Sequence, residues 1–128
     1  MRPIDRRSFL ATSAAAAATP ALAQGAGEDA RLRATLDRYF ETLVDDSPEF
    51  ATSLGLDTGA RAPLKAKLDD RSQAAKERRQ ARTRSWVKEL KSIDRARLSA
   101  PARTDLDVVL SQFERSVEAG DRWKFGST

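Results

Sequence analysis

The chain has 128 residues, enough for one small domain, and contains neither cysteine nor histidine. Those two absences exclude disulfides, thiolate chemistry, a Ser-His-Asp triad, a Cys-His dyad and a histidine-based zinc site within it. The net charge of +4 is partly a property of the first segment: Arg2, Arg6, Arg7 and Asp5 precede residue 24, leaving 20 basic against 18 acidic residues, net +2.

The first element in chain order is an export leader. Arg2, Arg6 and Arg7 form a positive stretch, residues 9–18 form a short, weakly apolar run, and Pro20 breaks it. Ala21-Leu22-Ala23 then offers an Ala-x-Ala cleavage site before Gln24. The apolar run is about half of the roughly 20 residues needed to span a bilayer, so stable membrane insertion is not expected. Arg6 and Arg7, followed one residue on by Phe9 and Leu10, resemble the twin-arginine export signal, with Asp5 a mild departure before the pair. The resemblance implies the twin-arginine translocase as a partner during export. It places the cleaved product in the bacterial periplasm or outside the cell. The domain organisation that follows is a signal peptide over 1–23, a flexible junction over 24–27 and a helical region over 28–128.

Leu32, Leu36, Tyr39, Phe40, Leu43 and Val44 recur at three- and four-residue steps, which predicts a helix over 28–44. Glu28 and Asp29 would lie in its first turn, where the helix dipole favours acids. Ser47 before Pro48 reads as an N-cap and first helical position, with a short helix over 48–54 and Gly55 as its stop. Residues 56–62 read as loop and 63–68 as a further helical turn. Ser72 reads as the next N-cap, opening a helix over 73–93 whose inner face is Trp86, Val87, Leu90 and Ile93. Before Trp86 the only apolar residues of this helix are Ala74, Ala75 and Ala81, so its front half can bury little. Ser99 and Pro101 start the last helix, over 101–119, with the stripe Leu106, Val109, Leu110, Phe113 and Val117 and with Gly120 as its end. After it, Trp123 and Phe125 alternate with polar residues, as at the start of an extended segment. The fold class expected is all-α, a partial helical bundle that stops mid-fold.

The stretch "KERRQARTRSWVKELK" is the one strong charge feature. Residues 72–93 hold seven basic residues against Glu77 and Glu89, net +5. A nucleic-acid or anionic-membrane surface is one reading. The other is a face matched by acids elsewhere, and residues 28–49 supply them: seven acids against Arg31, Arg33 and Arg38, net −4. Antiparallel packing of the two helices would set these charges opposite each other. Trp86 alone gives no stacking surface, so nucleic acid is not expected as a partner. The pairs Asp45/Asp46 and Asp69/Asp70 read as caps and turn formers. No loop supplies the six or more oxygens a calcium site needs, and there is no glycine-rich phosphate motif. No catalytic, cofactor-binding or metal residue is assigned, and no cofactor is expected in this chain.

The run "DDSPEFATSLGLDTGARAPLKAKLDD", with Pro48-Glu49-Phe50-Ala51-Thr52-Ser53-Leu54-Gly55 inside it, resembles the N-terminal region of the bacterial domain-of-unknown-function 885 family. "SIDRARLSAPARTDLDVVLSQFE" (92–114) resembles the family's next helical hairpin. Arg71 departs from the aromatic the family pattern has there. The resemblance implies a large, mostly helical, exported protein similar to zinc metallopeptidases, with a zinc motif His-Glu-Ala-x-Pro-Gly-His far toward its C-terminus. Zinc is therefore a cofactor expected of a full-length relative only, and no site residue carries over. The expectation is a truncated N-terminal helical portion of such an enzyme, inactive alone. The alternative is a small standalone periplasmic helical module, with the underfilled front of the basic helix turned toward an acidic partner.

Overall fold

A computed structural model describes residues 19–123, with side chains from residue 27 onward. Four α-helices follow in order: α1 (Thr19–Asp46), α2 (Pro48–Ser53), α3 (Gln73–Lys91) and α4 (Ala100–Arg122). Two 3-10 segments, Gly59–Ala66 and Arg95–Arg97, lie in the connections, and no strand occurs among the described residues. The all-α expectation holds. α3 and α4 form a hairpin, and α1 lies across both.

Each long helix contributes one apolar stripe to a common core. Leu32 and Tyr39 come from α1, Trp86 and Leu90 from α3, and Leu106 from α4; Ile93 and Leu98 of the α3–α4 connection close the end. At the centre three rings meet, one from each long helix. Tyr39 stacks on Trp86 with centroids 4.3 Å apart and planes at 21°, and Phe113 sits 5.4 Å from Trp86 and 6.0 Å from Tyr39. Offset stacks of this kind add about 0.5–1.5 kcal/mol beyond the area they bury.

Several boundaries differ from the sequence expectation. α1 starts at Thr19, so the backbone of 24–27 falls within it. Glu28 and Asp29 are consequently interior to α1. Their carboxylates serve the α3–α4 connection instead: Glu28 accepts from the Asp94 amide at 2.9 Å and Asp29 from the Ser99 amide at 2.9 Å. α3 ends at Lys91, where Ser92 caps it and the Ile93 amide donates back to Leu90, dropping Ile93 into the core. The 3-10 segment begins at Gly59, earlier than the turn expected over 63–68, and Leu68 is exposed.

Gly120 does not end α4, which runs two residues further to Arg122. The glycine is there for proximity. A Cβ at this position would run into the side-chain amide of Gln80 on α3, whose Cδ would lie 2.9 Å away. The helical Asp121 and Arg122 likewise remove the start of the expected extended segment; 124–128 lie outside the described residues.

Candidate functional site

The Pro48–Gly55 motif builds a two-sided clamp on a very short helix. Pro48 occupies the first turn, where its missing N–H costs nothing. The Ser47 hydroxyl stands at the N-cap but makes no capping bond. Asp69 takes that role from twenty residues away, its Oδ1 accepting from the Glu49 amide at 3.1 Å. At the other end the Leu56 amide donates to the Ala51 carbonyl at 2.9 Å and the Gly55 amide to Thr52 at 3.0 Å. These two bonds define a Schellman stop, and Gly55 supplies the left-handed residue it needs, at φ +68°. Pro48 and Ala51 are buried beneath. The motif is thus architecture: it turns the chain sharply after α1.

The acids and bases read from the sequence are brought together pairwise. On the α1–α3 flank Arg38 pairs with Glu89, and Arg82 pairs with Asp46 at 2.7 Å, in antiparallel order. Elsewhere on the basic helix Arg78 meets Asp70, Arg84 meets Asp121 and Lys91 meets Glu114, and Arg71, just before the helix, meets Glu49. The basic face is therefore largely matched from within the chain, by α4 as well as by α1. Asp45 joins Glu41 in holding Arg61. Asp70 accepts from the Ser72 amide at 2.9 Å and, with Arg78, is held below the usual carboxylate range mainly by the Ser72 bonds. Ser72 and Ser99 cap α3 and α4 through their side chains, as expected.

The Tyr39 ring carries its hydroxyl to the edge of the core. The Tyr39 hydroxyl donates to Glu89 Oε2 at 2.8 Å. Burial, followed by the bond to Glu89, pushes the phenol well above its ordinary pKa. Glu89 is lowered, first by that bond and then by Arg38. This unit orients two helices, and Tyr39 also lines the groove between α1 and α4.

Among the described residues, two of the concavities lie between the long helices. Along the α1–α4 seam lies an open groove of about 290 Å³, its lining including Tyr39, Phe40, Leu43, Val108, Val109 and Phe113. Phe40 is 42% and Val108 62% exposed, high for large apolar side chains. The second, about 320 Å³, lies between the front of α3 and the ends of α1 and α4, under Lys76, Arg79 and Arg82. No cluster of three or more His, Cys, Asp or Glu suited to a metal occurs among the described residues, and no described helix is long and apolar enough to cross a membrane. Of the signal residues, Arg6, Arg7, Phe9 and Leu10 lie outside the described residues. Ala21, Ala23 and Gln24 fall on the backbone of α1, their side chains undescribed.

A capped helical bundle whose motifs are structural, preceded by an export leader, defines the class: an exported, all-helical protein without an assigned chemistry. The twin-arginine translocation signal matches residues 3–23, so the protein is exported across the bacterial membrane by that pathway and is periplasmic or secreted. The family described as "Bacterial protein of unknown function (DUF885)" matches residues 48–127, and the chain belongs to it. No curated protein and no solved structure matches the chain.

Proposed function

We propose that this chain is the N-terminal helical portion of an exported, metallopeptidase-like protein, that it works in the periplasm after cleavage between Ala23 and Gln24, and that it performs no chemistry by itself. The twin-arginine match ends at Ala23, in keeping with that cleavage. The observation that carries the reading is the α1–α4 groove. A bundle that buries Leu32, Val44 and Leu90 almost completely nevertheless leaves Phe40 and Val108 open to solvent on one continuous apolar face. Contiguous apolar surface of that kind is where further protein packs. On this reading helices from the catalytic region of the larger protein cover it, and the zinc ligands belong to that region. The chain has no histidine or cysteine to hold a catalytic zinc in the usual way. The test is peptide hydrolysis by the purified chain with added zinc. Only background turnover is expected; hydrolysis that copurifies with the chain and is abolished by chelation would refute the reading.

A second reading, a standalone helical interaction module, is favoured by the completeness of the aromatic core, which draws one ring from each long helix. Cooperative, reversible unfolding of a soluble monomer supports the module. Aggregation or a broad, weak transition supports the portion of a larger protein.

A further inference from the structure

The front of α3 carries no apolar side chain larger than alanine, and the space it leaves toward α1 and α4 is not filled. The result is the cavity of about 320 Å³, at the small end of pockets that hold small molecules. Its polar wall is cationic, formed by Lys76, Arg79 and Arg82 with the Gln80 amide, and no carboxylate lines it. Leu43 from α1 and Val117 from α4 form an apolar floor.

The two guanidinium groups are held in place from outside. Arg82 Nη2 donates to Asp46 at 2.7 Å, and the guanidinium lies 5.2 Å from the centre of the Trp86 ring. Arg79 Nη1 donates to the Asp70 carbonyl at 2.8 Å. With these ends fixed, two donors of the same lining residues stay shielded from solvent and unpartnered: Arg82 Nε and Gln80 Nε2. Buried N–H groups without an acceptor are unusual. Positioned guanidinium and ammonium groups around one opening are the means by which phosphate is held, since its oxygens accept several N–H bonds at once.

We propose that this cavity binds a small phosphate monoester, its phosphate taken by Lys76, Arg79, Arg82 and Gln80, and its short carbon body resting on Leu43 and Val117. The site stands independently of the peptidase reading. Calorimetric titration of the full chain with n-butyl phosphate and with inorganic phosphate tests it. The expected result is saturable one-to-one binding, tighter for butyl phosphate, with the side-chain amide resonances of Gln80 shifting at saturation. Binding should weaken at least tenfold in Lys76→Gln/Arg79→Gln and stay within twofold in Lys88→Gln/Arg115→Gln, whose cations lie outside the cavity lining. The Gln80 resonance reports on the wild-type chain even where a variant folds poorly. The proposal is overturned by absence of saturable binding, by equal affinity for the two phosphates, or by equal weakening in both variants. Association with phosphatidylglycerol vesicles without binding of the soluble phosphates overturns it in favour of a membrane surface.

Discussion

Tyr39 ties α1 to both helices of the hairpin. It stacks on Trp86, meets Phe113 and hydrogen-bonds Glu89, so one residue of α1 touches both helices of the hairpin. Tyr39→Phe keeps the ring contacts and loses the hydroxyl's bond to Glu89 and its longer contact with the Trp86 carbonyl; chemical denaturation should show a cost of about 0.5–1.5 kcal/mol. Trp86→Ala removes the central ring, and about 3–5 kcal/mol is expected by the same measurement. Because Tyr39 is the only tyrosine, its titration is clean. A phenol whose folded pKa is raised contributes stability that is present below its unfolded pKa, about 10, and lost as pH rises through the folded value. Phenolate absorbance should therefore be absent from the folded protein at pH 10 and appear only under more alkaline conditions. Half-titration at pH 10 in folded protein would show that the burial is wrong. Gly120 offers a different test. Gly→Ala inside a helix ordinarily gains about 0.5–1 kcal/mol, but here the new methyl must displace Gln80. The full gain should appear only in a Gln80→Ala background, and a double-mutant cycle reads the difference.

Among the elements, α2 shows how a short helix is made stable by its two ends. Asp69→Ala deletes the cap that Ser47 does not supply, and a loss of about 0.5–2 kcal/mol is expected. Gly55→Ala forces a Cβ into the left-handed region and should cost about 1–2 kcal/mol. Ser47→Ala should be close to neutral, and a cost equal to that of Asp69→Ala would contradict the capping geometry. The long helices were legible in the sequence because their stripes and side-chain caps are local signals: Leu106 to Val117 repeat at helical steps, and Ser72 and Ser99 each precede one. What was not legible depends on partners distant in sequence. Ser47 resembled a cap because the competing Asp69 lies twenty-two residues further along the chain. Gly120 resembled a stop because nothing near it reveals Gln80. Glu28 and Asp29 seemed to serve their own helix until the fold placed Asp94 and Ser99 beside them. The cavity was half visible, in the alanine-only front of α3. The groove was not visible at all, since it depends on which two stripes meet at the seam.

For the molecule as a whole, the charge pattern sets the pH response. Asp29, Asp70, Glu89 and Asp107 are all held below their ordinary values, by the Ser99, Ser72, Tyr39 and Arg95 bonds respectively. A carboxyl lowered in the folded state contributes stability that is present above its unfolded pKa and lost as pH falls through the folded one. Stability should decline below about pH 4, where unfolded carboxyls take up protons first. With no histidine, it should be flat between about pH 5 and 8. A slope in thermal midpoint across that neutral range would contradict this assignment of charges. Most of the ion pairs are exposed, each contributing about 0–1 kcal/mol, so added salt should lower the midpoint only slightly. The whole then consists of a closed aromatic core with one face left open along α1 and α4. That uncovered face is tested most directly by hydrophobic-dye fluorescence of the native chain at neutral pH, measured beside its unfolding transition. The expected result is dye binding by protein that still unfolds cooperatively, with most of the signal lost in Phe40→Ser/Val108→Ser. No dye binding, or binding unchanged by that pair of substitutions, would mean that the groove is not an open face awaiting a partner.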